Sequence, residues 1–139
     1  MKKAYLDSSV IIRQILDEKN KYGSLGEIRH FYTSDLTRIE ASRTLDRLRI
    51  VHTWPDNEVA YRVQLLHALF DSVEFIPLQP AILKRAAESF PVVVKTLDAI
   101  HIASALLADN RQNPLYFITH DSRQGRAALS VGLLSEGFE

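Results

Sequence analysis

Asp7, Glu40, Asp98 and Asp121 sit where a metal site could be built from the ends of strands and the starts of helices. Asp7 closes an apolar run, Ala-Tyr-Leu-Asp at 4–7, and Asp121 closes another, Leu-Tyr-Phe-Ile-Thr-His-Asp at 115–121. Asp98 lies at the start of a helical pattern, Thr-Leu-Asp-Ala-Ile-His-Ile-Ala at 96–103, and Glu40 lies inside another, Leu-Thr-Arg-Ile-Glu-Ala at 36–41. Hard divalent cations take oxygen ligands. Open α/β sheets gather ligand-binding groups beyond the carboxyl ends of their strands. Carboxylates crowded there raise one another's pKa unless a cation neutralises them. Mg²⁺ or Mn²⁺ in such a set can polarise a phosphodiester and activate a water. Each acid also has a structural reading. Asp7 and Asp121 suit helix caps, and Asp98 suits the first turn of a helix dipole. Glu40 has Arg43 and Arg47 within intrahelical reach.

Strand and helix patterns alternate along the chain and set where these acids fall. Strand patterns run over 2–6, 31–34, 73–77 and 115–119, with a possible fifth, edge strand at 131–134. Helical patterns run over 8–17, 36–51, 57–71, the Ile82–Phe90 stretch, 97–109 and 122–130, with a short helix possible at 24–30. Ser34 or Asp35 can cap the helix from 36, whose core stripe is Ala41, Leu45 and Leu48. Residues 18–23 read as a turn, and 91–95 as either strand or loop. Strands alternating with helices predict an α/β fold with a mainly parallel sheet of four to five strands. In such a sheet the ends of the first and fourth strands meet on one edge, which brings the acids together.

The chain of 139 residues fits one domain spanning 1–139, and its hydrophobic and charged fractions, 46% and 24%, are those of a soluble globule. Without cysteine, disulfides and thiolate metal sites are excluded. No apolar stretch suits a signal peptide or a membrane span, so a cytoplasmic location is expected. Formal net charge is zero. Lys and Arg exceed Asp and Glu by ten to seven in residues 1–50, a mild basic bias. Arg13, Arg38, Arg43 and Arg47 are candidates for phosphate contacts. His101 is read as a packing or hydrogen-bonded residue, and His120 as an exposed loop residue. Trp54, Tyr61 and Tyr22 are read as cover for the core or an interface rather than as stacking platforms for bases.

The strings Tyr-Leu-Asp-Ser-Ser at 5–9, Ser-Asp-Leu-Thr-Arg-Ile-Glu at 34–40, Thr-Leu-Asp-Ala-Ile-His-Ile-Ala-Ser-Ala at 96–105 and Ile-Thr-His-Asp at 118–121 come in a distinctive order. Together they resemble the PIN-domain ribonucleases, specifically the VapC-type toxins of type II toxin–antitoxin pairs, over essentially the whole chain. The resemblance implies a three-layer α/β/α sandwich. It implies a Mg²⁺- or Mn²⁺-dependent endoribonuclease acting on structured RNA, often transfer or ribosomal RNA. Asp7 and Asp98 match the main metal ligands, and Asp121 a direct or water-mediated one. Glu40 matches the residue that binds a second ion or orients the attacking water. Ser8 and Thr119 fall at polar positions beside the metal. The resemblance further implies a cognate antitoxin that inserts a segment near the pocket, and a homodimer. The helices at 8–30 and 36–71, with Val10 and Leu25 exposed, are the expected walls of the antitoxin groove. Two alternatives stand beside the nuclease. One is a phosphotransferase with Asp7 as nucleophile, although Asp-Ser-Ser lacks the usual second aspartate two residues on. The other is a metal-holding module that only binds RNA or a partner.

Overall fold

A computed structural model describes residues 2–16, 22–23 and 25–138. The expected turn at 18–23 and the last residue of the helix expected at 8–17 lie largely outside them. Five strands, β1 (Lys3–Leu6), β2 (His30–Ser34), β3 (Glu74–Ile76), β4 (Leu115–Ile118) and β5 (Leu134–Glu136), form one sheet in the order β3-β2-β1-β4-β5. Every pairing is parallel. The expected mainly parallel sheet is therefore parallel throughout.

Period-two alternation sorts the central strands between two cores. Tyr5, Leu115 and Phe117 point to one face, where they pack with Ile82, Ile102 and Ala127. Ala4, Leu6 and Ile118 point to the other, where they pack with Ile11, Ala41 and Leu66. Helices α1 (Ser8–Leu16), α2 (Asp35–Val51) and α3 (Asp56–Asp71) cover the second face. Helices α4 (Pro80–Ala87), α5 (Thr96–Ala108) and α6 (Ser122–Ser130) cover the first. This is the α/β/α sandwich that the alternation and the resemblance predicted.

Local chemistry sets most boundaries. Ser34 caps α2, its Oγ accepting the N–H of Leu36 at 3.0 Å. The short helix expected at 24–30 is a single 3-10 turn at Leu25–Glu27. Residues 91–95 are loop, and Phe90 lies beyond the end of α4. The fifth strand begins later than expected. Gly132, at φ +93°, stops α6 instead. The N–H of Gly132 donates to Leu129 O at 3.1 Å, and that of Leu133 to Ala128 O at 3.1 Å. This double bond pattern ends a helix with a left-handed residue that only glycine adopts without strain. Val131 and Gly132 are thus the cap, and pairing with β4 starts at Leu134.

The expected exposure of Val10 is corrected: Val10 is wholly buried in the second core, and Leu25 packs against that core half-buried. The apolar face of α1 is turned to the sheet, as an amphipathic helix requires. Exposed apolar side chains lie instead on α2 and α3, at Ile39, Ile50, Val51 and Tyr61. Among the described residues no helix is long and apolar enough to cross a membrane.

Candidate active site

The chain leaves β1, builds β2 and β3 on one side, then returns to lay β4 against the other side of β1. Connections diverge at this junction and leave a crevice beyond the strand ends. Asp7 follows β1 directly, and its N–H continues the ladder by donating to Ile118 O of β4 at 3.0 Å. Thr119 and Asp121 follow β4. The crevice at the β1–β4 junction is therefore lined by the strand-end acids that the sequence singles out.

Hydroxyl groups orient the Asp7 carboxylate, which is 5% exposed. Oδ2 accepts from Thr119 Oγ1 at 2.7 Å and from Ser9 Oγ at 3.0 Å, and Oδ1 accepts from Ser8 Oγ at 3.3 Å. Three hydroxyl donors thus fix the direction in which the carboxylate oxygens face. Thr119 Oγ1 also accepts the Asp121 N–H at 3.0 Å, so one hydroxyl ties the two acidic loops together. Ser8 and Thr119 stand beside Asp7 as expected. Ser9 is the contact that sequence reasoning passed over, although the doubled serine after Asp7 was its signal. Thr33 Oγ1 donates to Leu6 O at 2.7 Å and fastens the end of β1 from the β2 side.

Asp121 does cap α6, accepting from Arg123 N at 2.9 Å and Gln124 N at 3.3 Å. That uses Oδ1 only. Asp98 sits in the first turn of α5 and is partly buried. Burial raises its pKa first, and the charges of Asp7, Asp121 and Glu40 raise it further, against a smaller opposing effect of His101. All four acids thus share one electrostatic environment. Among the described residues, however, no three His, Asp or Glu side chains converge closely enough to hold an ion as they stand. The site is an electronegative cluster of oxygen donors rather than a finished coordination sphere.

Glu40 has neither Arg43 nor Arg47 as partner. Arg43 turns to Asp46 at 3.2 Å, and Arg47 is exposed. Glu40 Oε1 instead meets His101 Nε2 at 2.5 Å. A carboxylate only accepts, so Nε2 carries the proton, and in the neutral ring Nδ1 accepts from the Tyr5 hydroxyl at 2.5 Å. Burial disfavours the charged imidazole, but the Glu40 bond and the charges of Asp7, Glu40 and Asp98 outweigh it, and its pKa rises. Burial, then the charge of Asp7, keeps the Tyr5 phenol protonated well above its ordinary pKa. His101 is 1% exposed and hydrogen-bonded, as read from the sequence. His120 is not an exposed loop residue: it is half-buried, and its Nδ1 lies 3.1 Å from Gly137 O. The C-terminal segment packs over its loop.

The Tyr5–His101–Glu40 chain predicts a stability cycle. His101→Leu removes the Nδ1 acceptor of the buried Tyr5 hydroxyl, at a cost of about 1–3 kcal/mol, while Glu40 can turn to water. Adding Tyr5→Phe removes the hydroxyl and is expected to recover most of that loss in urea unfolding. Equal midpoints for the single and double variants would contradict the network.

Of the aromatics, Trp54 and Tyr22 pack against the second core. The Arg62 guanidinium lies 5.3 Å from the Trp54 ring centre, and the Tyr22 hydroxyl donates to Glu136 Oε1. Tyr61 is exposed.

The sequence model of the PIN domain family matches residues 4–129. The chain belongs to the PIN domain family. Its sequence is 24% identical over 133 residues to Ribonuclease VapC47 of Mycobacterium tuberculosis (strain CDC 1551 / Oshkosh), covering 94% of this chain and 93% of that protein. Its fold is similar to that in the crystal structure of VapBC2 from Rickettsia felis, bound to a DNA fragment from their promoter. The TM-score is 0.65 at 12% identity, over 96% of this chain and 97% of the other. PAE2754 from Pyrobaculum aerophilum has a similar fold too, with a TM-score of 0.63 at 17% identity, over 96% and 83% of the two chains. This PIN domain chain thus matches both structures across nearly all of its length, and the parallel sheet with helices on both faces is common ground.

Proposed function

We propose that this PIN domain chain is a Mg²⁺- or Mn²⁺-dependent endoribonuclease, the toxin of a toxin–antitoxin pair, acting as one domain over 1–139 in the cytoplasm. The observation that carries the reading is the cluster of Asp7, Glu40, Asp98 and Asp121, in which the charges of the other three acids add to burial in raising the pKa of Asp98. The similarity to a protein named a ribonuclease supports the same reading.

The donor set fits a hard cation. Every donor is oxygen, the chain has no cysteine, and the crowded negative charge needs neutralising. Asp7 and Asp98 would hold the ion, with Asp121 direct or through water and Glu40 toward a second ion or the attacking water. When bound, such an ion supplies Lewis acidity and an activated water to the phosphodiester. Ser8, Ser9 and Thr119 fix the Asp7 carboxylate by hydrogen bonds, so it is oriented before the substrate arrives. His101 holds the Glu40 carboxylate in the same way.

An antitoxin partner is supported by the VapBC2 complex of the structural neighbour. The exposed Ile39, Ile50, Val51 and Tyr61 offer the apolar surface for it that Val10 does not. A homodimer is part of the same reading.

The purified chain, free of any partner, is expected to cleave structured RNA with Mg²⁺ or Mn²⁺ and to stop in EDTA. An ion that binds only the folded state also raises its stability, by about 2.7 kcal/mol at 100 times its dissociation constant. The thermal midpoint should therefore rise with added metal. A folded chain that shows neither cleavage nor a metal-dependent midpoint would sink the reading in favour of a binding module.

A further inference from the structure

We infer that Lys95, Arg123 and Arg126 form a phosphate-binding subsite that holds the RNA backbone beside the acidic cluster. The inference rests on the proposed function and names where its substrate lies. It moves RNA contact away from the α2 arginines favoured by the sequence.

The α2 and α3 arginines are mostly occupied. Arg38 lies 3.5 Å from Asp35 and 3.5 Å from the Phe75 ring centre. Arg43 and Arg49 share Asp46, at 3.2 Å and 2.8 Å. Arg62 pairs with Glu58 at 2.7 Å. Lys95, Arg123 and Arg126 are exposed, and among the described residues none has a carboxylate within ion-pair distance. Cations without a local counter-charge remain available to an anion from solution.

Their placement joins them to the acids. Lys95 and Arg123 line a small cleft together with Asp98 and Gln124. Arg123 and Arg126 line an adjoining cleft of about 420 Å³, with Val92 and Val93. Val93, 91% exposed, belongs to both. Gln124 is 2% exposed, and its Nε2 has no hydrogen-bond partner among the described residues. Its Oε1 lies 3.5 Å from Thr119 Oγ1, so whichever way the amide is turned, one polar atom remains unused. The first turn of α5, which follows Lys95, has no side-chain cap. Its free N–H groups and the positive end of the helix favour an anion in the same direction.

A cleft of carboxylates repels the polyanion it must cut. Cations beside it can hold flanking phosphates while the acids meet the reacting one. Guanidinium groups suit that role because they bind phosphate oxygens in pairs. Such contacts fix position and carry no sequence information.

The test uses the full chain and a fluorescein-labelled single-stranded RNA of mixed sequence. Binding is followed by anisotropy in the Asp7→Asn background, with and without Lys95→Ala, Arg123→Ala and Arg126→Ala together. Each phosphate contact on a single strand contributes about 0.7 to the slope of log affinity against log salt. Losing three should flatten the slope by about 2 and weaken binding at least about tenfold. In the otherwise native chain the same triple change should raise KM with little change in kcat, the mark of lost uniform binding. Arg111→Ala, in the loop before β4, is the control and should change neither. All four positions are exposed, and an unchanged thermal midpoint checks folding. Unchanged affinity and slope in the triple variant would overturn the inference and leave the cations to an acidic segment of a protein partner. Absence of any RNA binding would overturn it too. If the native chain cleaves no RNA while the Asp7→Asn chain binds it through these residues, the nuclease reading fails and the subsite stands.

Discussion

Asp98→Asn is expected to leave less than about 1% of the metal-dependent RNA cleavage while making the metal-free chain more stable at neutral pH. Changes in groups that merely support metal ligands cost about 10–100-fold, so loss of a ligand itself should cost more. The stability gain has the opposite sign for a physical reason. The folded pKa of Asp98 is raised, by burial first and then by Asp7 and Asp121. A carboxyl with a raised folded pKa binds its proton more tightly in the folded chain than in the unfolded one. Its contribution to stability is present below the unfolded pKa and is lost as pH rises through the folded value. His101, also raised, contributes in the same direction over its own range. The contribution of Asp98 should therefore fall as pH rises from the ordinary aspartate range, against the gain from the carboxyls of Asp46 and Glu136, whose pKa values are lowered. Over that range the metal-free native chain should lose stability relative to Asp98→Asn. The measurement is the thermal midpoint against pH in EDTA, beside cleavage with Mn²⁺. A variant that is inactive and also less stable at neutral pH would mean that Asp98 acts in folding rather than in the proposed metal site.

Phe117→Ala is expected to cost about 3–5 kcal/mol, a large share of the roughly 5–15 kcal/mol that holds a domain together. Phe117 lies in the centre of the sheet, wholly buried, with its ring stacked on Tyr5 at 5.3 Å and 7°. The two strands it bridges are those whose ends carry Asp7 and Thr119. Activity should fall with the folded fraction and recover on cooling or with added metal, which favours the folded state. Denaturant unfolding followed by circular dichroism gives the loss. A change below about 1 kcal/mol would mean that the central core repacks and that the β1–β4 junction is less rigid than its contacts indicate.

The acids were legible in the sequence because each is tied to a local signal. Asp7 and Asp121 end apolar runs, which period-two burial turns into central strands, and Asp98 opens the most apolar helical pattern. Ser34 was legible as a cap for the same reason. Glu40 was legible as an acid bordering an apolar stripe, but its partner was not. Arg43 and Arg47 are near it in sequence, whereas His101 is 61 residues away and meets it only because α2 and α5 flank the same strand ends. Val10 belongs to the apolar face of α1 that the sheet covers, and its expected exposure came from the groove the resemblance implies rather than from the helical pattern. The basic bias of residues 1–50 does not show which cations are paired: Arg38, Arg43 and Arg49 find partners one turn away on α2, whereas Arg47 is exposed.

The alternation of strands and helices, the four candidate acids and the resemblance to PIN domains are all readable in the sequence. These follow from local propensity, hydrophobic period and short motifs. Long-range packing set the strand order that places β4 against β1, the hydrogen bond from Thr119 to Asp7, the buried Tyr5–His101–Glu40 chain and which cations stay unpaired. Each of these depends on groups far apart in the chain, and a contact between such groups is fixed by the packing of the sheet and its two helical layers, which no local window records.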